Sequence, residues 1–318
     1  MPLRLGTRRS ALALAQSGMV ARALGDDVEL VEVVTEGDRL VDVPLQGSLA
    51  KGYFTEALEA GLREGRFDLA VHSLKDLPVA AAPGLVLGAI PPRESVADLL
   101  LIRREVWESD AERIPLRLGA SVGAASLRRQ ALVRSLRPDL EPRFLRGNVT
   151  TRLQRLVEGR FDAIVLAEAG VCRLGAALGL DALHDVVIVR LLPEHWPPAP
   201  GQGALALQCR ADDEALRGRL TRLHDAEAAA AVGWERAALA AIGGGCSTPF
   251  AAWWSGDRGV LGMERAGQFR LRRGLGAHDQ ERDAALALLT ADGPGEGWPF
   301  RVWSPWSASL TKPLEVTL

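Results

Sequence analysis

Lysine is nearly missing from this chain. Of 38 basic residues only Lys51, Lys75 and Lys312 are lysines, and arginine fills every other basic position. Two compact ammonium groups within 25 positions of each other, among so many planar forks, mark those two places as chemically particular. Cysteine is equally sparse. Cys172, Cys209 and Cys246 are odd in number and form no C-x-x-C, and the five histidines make no H-x-x-x-H. A disulfide framework and a structural metal are therefore not expected. No apolar run is long enough to span a bilayer, and the start of the chain lacks a signal-peptide layout, so a cytoplasmic protein with free thiols and no membrane partner is expected. A net charge of −2 supplies no overall field for nucleic acid. Neither G-x-x-x-x-G-K-[ST] nor a G-x-G-x-x-G after a strand occurs, which argues against nucleotides.

What is present is an internal repeat. At 318 residues the chain is too long for one ordinary core, and two or three domains are expected. Glu64-Gly65-Arg66-Phe67-Asp68 recurs letter for letter as Glu158-Gly159-Arg160-Phe161-Asp162, each time with a helix before it and an apolar run after it. Leu3-Arg4-Leu5-Gly6 and Leu116-Arg117-Leu118-Gly119 read as a second matched pair, each a strand opening towards a helix. Prolines mark two crossings, near Ile90–Glu94 and Leu192–Gly201, and the strand-like run after the second is placed to return to the first sheet. The reading is α/β: two similar doubly wound domains like those of periplasmic binding proteins, with a hinged cleft, and a small α+β C-terminal domain. The expected boundaries are 1–91 with 194–211 for the first domain, 97–190 for the second and 215–318 for the third.

The chemistry gathers where strands end. Phe67 to Val71 reads as a buried strand, and the chain then turns polar through His72, Ser73, Lys75 and Asp76 before Pro78. Side chains just past such a strand face the crevice where open α/β sheets bind ligands. Lys75 and Asp76 also fit a solvated surface pair. Arginines collect at helix starts or strand ends in both halves: Arg8, Arg9, Arg128, Arg129, Arg146, Arg152 and Arg173. They point to a polyanion carrying several carboxylates. Cys246 lies in Gly243-Gly244-Gly245-Cys246-Ser247-Thr248-Pro249, a loop suited to an exposed, reactive thiol. Two functions share these features: an enzyme that carries a group on Cys246, and a non-catalytic two-lobed binder of a multicarboxylate ligand.

Seven stretches in order carry a resemblance to a known family: Thr7–Ser10, Lys51–Phe54, Ala70–Asp76, Ser126–Gln130, Leu145–Val149 with Arg152, Pro200–Ala204, and Gly244–Cys246. They resemble the porphobilinogen deaminases, or hydroxymethylbilane synthases. The resemblance implies a transferase of haem and tetrapyrrole biosynthesis that joins porphobilinogen units head to tail, releasing ammonia, on a dipyrromethane cofactor held by a thioether to Cys246. It implies Asp76 as the catalytic carboxylate. It implies Lys75, Asp76, Ser126, Arg128, Arg129, Arg146, Gly147, Ala169 and Gly170 around the cofactor. Around the substrate it implies Arg8, Ser10, Lys51, Phe54, Arg146, Arg152, Arg173 and Gln202. No metal is implied, and a monomer is expected. One departure stands out: Gly123-Ala124-Ala125-Ser126 replaces the usual Gly-Thr-Ser-Ser. The two missing hydroxyls, worth about 0.5–1.5 kcal/mol each, predict weaker cofactor binding.

Overall fold

The two copies of Glu-Gly-Arg-Phe-Asp perform the same construction twice. Gly65 and Gly159 take φ of +67° and +71°, turning the chain out of helices Glu56–Arg63 and Val149–Val157. Phe67 and Phe161 then crowd a glycine on a neighbouring strand, Gly6 and Gly123, where little room remains for a side chain. Asp68 accepts the Arg4 amide at 3.2 Å, and Asp162 accepts the Ser121 amide at 2.8 Å. This corrects the second matched pair. Val122 and Gly123, not Leu118 and Gly119, hold the places of Leu5 and Gly6. Gly119 lies one turn too early, in a bend with φ of +72°.

The structure, a computed structural model, describes residues 1–25, 27–34, 55–111, 113–179, 183–245, 248–291 and 302–306. The long segment 35–52, with Lys51, and Phe54 just beyond it, lie outside these residues, as does Cys246. The first lobe supplies β1 (Leu3–Arg8), β2 (Val28–Val33), β3 (Leu69–Ser73) and β4 (Leu85–Ala89). After a crossing, the second lobe supplies β5 (Asp98–Arg103), β6 (Ser121–Gly123), β7 (Glu141–Arg143), β8 (Ala163–Ala167) and β9 (Val186–Leu191). The chain then returns, and β10 (Leu205–Arg210) inserts between β3 and β4 to give the order β2-β1-β3-β10-β4. The second sheet has the matching order read from the other edge, with β5 between β8 and β9. In each lobe the strand that enters from a crossing runs antiparallel to both neighbours, and the rest of the repeated unit is parallel.

Helices cover both faces of each sheet. In the first lobe Ala11–Leu24 and Glu214–Leu220 pack on Leu5, Leu69 and Leu207, while Glu56–Arg63 covers Phe67 and Ala70 on the other side. In the second, Leu127–Leu136 lies on one face and Val149–Val157 with Glu168–Leu174 on the other. The third domain has an antiparallel sheet, β11 (Phe250–Trp254), β12 (Gly259–Arg265) and β13 (Gln268–Leu275), under helices Ala226–Ala241 and Asp279–Thr290. Two expectations about its limits change. Helix Glu214–Leu220 buries Leu216 and Leu220 in the first lobe, so the third domain begins later than residue 215. The tail strand β14 (Trp303–Pro305) pairs with β9 and extends the second sheet, with Trp303 edge-on to Trp107 at 5.3 Å. Asp279 is the first residue of its helix, with His278 at the N-cap.

The third domain touches both lobes. Ala251, Phe269 and Leu271 join the second lobe's core beside Leu132 and Leu136, and the Phe269 amide donates to Ser135 Oγ at 2.7 Å. Ala228 and Val232 pack on Leu74 and Leu77 of the first lobe. Buried Glu235 accepts both Nη atoms of Arg93 at 2.8 Å, the Gly201 amide at 2.7 Å and the Trp254 amide at 3.0 Å. One carboxylate thus fastens the third domain to both crossings.

Candidate active site

Strand β3 ends at Ser73, and a 3-10 turn, Leu74–Asp76, carries Lys75 and Asp76 past it. Leu74 is fully buried and anchors the turn, leaving Asp76 exposed and Lys75 half-buried. His72 does not share this position. On a strand, alternate side chains share a face, so His72 lies with Ala70 inside the fold. It is buried, its Nε2 meets no partner among the described residues, and desolvation pushes its pKa down to about 4. Ser73 Oγ accepts Gln16 Nε2 at 2.9 Å.

Lys75 leads into a chain of contacts that spans both lobes. Its Nζ donates to Gln202 Oε1 at 3.2 Å, and Gln202 Nε2 donates to Asp98 Oδ1 at 2.8 Å. Asp98, at the head of β5, also accepts Arg128 Nη2 at 2.8 Å, Arg129 Nη2 at 2.6 Å, Arg129 Nε at 3.1 Å and Trp196 Nε1 at 2.9 Å. Burial alone pushes this carboxyl up, but Arg129 and Arg128 outweigh it and hold the group far below the ordinary carboxylate range. Both arginines are themselves buried, at 2% and 5% exposure, so their positive charge is turned to Asp98. The sequence reading had them facing a ligand. Desolvation, with Arg129 close by, brings the Lys75 ammonium down to about 8 even though part of the side chain reaches solvent.

Arg152 faces Asp76 from the opposite lobe. Burial first, then Arg129, lower its pKa to about 10, and the Asp76 charge works the other way. Its Nε donates to Gly147 O at 2.8 Å, and Arg155 holds Arg146 O at 3.1 Å, so guanidiniums shape the Arg146–Gly147 turn. Arg146 sits 5.9 Å from the centroid of the exposed Phe144 ring. Arg173 Nη2 donates to Gly203 O at 2.5 Å on the second crossing. Ser126 precedes the Leu127–Leu136 helix without capping it through its side chain. Ala169 and Gly170 are buried, Gly170 against Leu12 of the first lobe. Arg8 lies near His72, and Ser10 caps its helix by accepting the Ala13 amide at 3.3 Å. Ala124 is buried and its carbonyl accepts Gln130 Nε2, so of the two replaced positions only Ala125 keeps accessible surface.

The residues missed by sequence reasoning are Asp98, Trp196 and Glu235. The first had a visible signal: an acid directly before the apolar run Leu99–Ile102, next to a crossing.

A fit to a polyanion follows from the donors left over. Arg128 Nε and Arg173 Nε are buried and meet no acceptor among the described residues, a costly state that an anionic group in the cleft relieves. Fold and site together define a two-lobed α/β protein with a bridging third domain, in which cationic side chains from both lobes surround one exposed carboxylate. Residues 3–218 match the family profile "Porphobilinogen deaminase, dipyromethane cofactor binding domain". A porphobilinogen deaminase of Sorangium cellulosum is 47% identical over 81% of this chain and 84% of its own length. That of Bacillus subtilis is 41% identical over 79% and 78%. A periplasmic binding protein of Salmonella typhimurium has a TM-score of 0.40 at 13% identity, over 72% of this chain and 93% of that one. The chain belongs to the porphobilinogen deaminase family.

Proposed function

We propose that this protein polymerises porphobilinogen head to tail into the linear tetrapyrrole hydroxymethylbilane, with Asp76 as the catalytic carboxylate and Cys246 as the attachment point of a dipyrromethane primer. The observation that carries the reading is the placement of Asp76: an exposed acid opposite Arg152, in a cleft otherwise furnished with cations. The dipyrromethane, when bound, supplies the free pyrrole end that is extended.

Every pyrrole unit of porphobilinogen bears an acetate and a propionate, so the growing chain is a polyanion. Arg146, Arg152, Arg173 and Lys75, with Arg8 and Ser10 at the first lobe, bind and orient those carboxylates, and Gln202 of the substrate set, buried at the second crossing, acts through its hydrogen bond from Lys75. Lys51 and Phe54 belong to the same substrate set, and Ser126, Gly147, Ala169 and Gly170 to the cofactor set. Arg128 and Arg129 contribute their net positive charge beyond Asp98, and Arg128 its Nε–H, which has no acceptor among the described residues. Loss of ammonia from porphobilinogen leaves a cationic carbon, and the fixed Asp76 carboxylate stabilises that charge while its oxygens accept pyrrole N–H groups. The same oxygens deliver a proton to the departing amine and take one from the pyrrole α-carbon that has formed the new carbon–carbon bond. A simple multicarboxylate binder has no use for an acid at that point, since it repels the ligand.

The protein acts as a monomer in the cytoplasm, without nucleic acid or membrane. Among the described residues no helix is long and apolar enough to cross a bilayer. The decisive experiment is the intact mass of active protein. It is expected to exceed the sequence mass by two deaminated pyrrole units, on the peptide holding Cys246. Cys246→Ser loses both increment and activity, and Cys172→Ser and Cys209→Ser keep both. Active enzyme with an unmodified Cys246 refutes the proposal.

A further inference from the structure

We infer that Arg236, on the third domain, is a positioning residue for the reaction: it sets the Lys75–Asp76 turn from behind. The inference rests on Asp76 being the catalytic carboxylate. Arg236 Nη2 donates to Pro78 O at 2.7 Å, and its Nη1 donates to Leu77 O at 3.2 Å and reaches Leu74 O at 3.5 Å. The 3-10 turn is closed by Leu77 N donating to Leu74 O at 3.1 Å. The carbonyls at its far end have no partner within the turn, as at any helix terminus. One planar guanidinium gathers carbonyls from both ends of the turn, which an ammonium cannot do in a single geometry.

The base of this contact is rigid. Glu235, the preceding residue, is locked to Arg93 and to the Gly201 and Trp254 amides. The same helix packs Ala228 and Val232 on Leu74 and Leu77. Apolar packing holds the buried half of the turn. Arg236 holds its backbone, and with it the direction in which Asp76 leaves the surface. Helix Ala226–Ala241 leads directly into the glycine loop that precedes Cys246. One helix therefore relates the carboxylate to the proposed attachment point.

The test is a kinetic double-mutant cycle on the full cofactor-bearing chain, using Arg236→Met, Arg236→Lys, Asp76→Asn and Asp76→Asn/Arg236→Met. For each, kcat and KM for porphobilinogen, intact mass and thermal midpoint are measured. Arg236→Met is expected to lose roughly 10- to 100-fold in kcat, on the order of what a 1 Å misplacement costs. KM stays within about twofold and Arg236→Lys restores part of the rate, as for a change felt only in the transition state. Adding Arg236→Met to Asp76→Asn brings no further loss, because both act through one carboxylate. Unchanged kcat in Arg236→Met overturns the inference, and so do multiplicative losses in the double variant. Should Arg236→Met fail to fold, Arg236→Lys carries the same cycle. Normal turnover by Asp76→Asn alone overturns the carboxylate assignment itself, an outcome separable from failure at Arg236.

Discussion

Replacing Asp98 by Asn tests the electrostatic centre of the structure. The substitution keeps the shape and removes the charge that two guanidiniums share. Asp98 accepts five hydrogen bonds, from Arg128, twice from Arg129, and from Trp196 and Gln202. An amide in its place turns N–H groups toward donors at one end. Arg128 and Arg129 are left almost fully buried, near Lys75, without a counter-charge. Breaking a buried pair from one side costs about 3–5 kcal/mol. The assay is denaturant unfolding of Asp98→Asn against wild type across pH. Asp98 is depressed in the folded state, so its contribution is complete above the unfolded value of about 4 and fades as pH falls below it. The gap between the proteins is therefore expected to be constant above about pH 5 and to narrow in acid. A loss under about 1 kcal/mol at neutral pH refutes the reasoning, since the guanidiniums would then be drawing on solvent.

Lys75, brought down to about 8 by burial and Arg129, is half-deprotonated near that pH. Turnover that needs the ammonium is expected to fall with a midpoint near there, and Lys75→Arg shifts that limb upward in a pH–rate profile. Folding stability has the opposite trend over the same range. The unfolded lysine keeps its proton to about 10.4, so stability rises with pH between the two values. Trp303→Ala empties a buried site on the second lobe beside Trp107 and is expected to cost about 3–5 kcal/mol in a melt. Its intact mass is expected to match wild type in the cofactor increment, which separates a staple from a site residue.

Much of the architecture is legible because it is written twice. Glu-Gly-Arg-Phe-Asp repeats, since each lobe needs the same left-handed turn, the same ring over a glycine and the same aspartate accepting an amide of the neighbouring parallel strand. The crossings show as prolines. The second matched pair misled because Leu-Arg-Leu-Gly is an easy string to repeat, whereas the binding constraint is a ring against a glycine. His72 was read at the cleft mouth because polarity begins there in sequence, but strand alternation turns it inward one residue before the chain leaves the sheet. For Arg128 and Arg129, sequence reports a charge and not which acid receives it, and Asp98 lies some thirty positions earlier. The tail strand spans three residues, too short for any period, so its place in the second sheet is visible only through Trp303 and the pairing with β9.

The position of β10 bears on how the chain is made. The inner strand of the first sheet is supplied by residues 205–210, more than a hundred positions after its neighbour β3. A nascent chain emerging from the ribosome therefore holds β1 to β4 with a gap in their middle until the whole second lobe has followed. The interior of the second sheet meets no such delay, because β5 to β9 run from 98 to 191 without leaving it and only the edge strand β14 comes later. Local contacts form faster than distant ones, and domains fold as units during synthesis. The half of the protein translated first is thus the half whose sheet interior is filled later, and its open gap is a part of the newborn chain in need of protection from other strands.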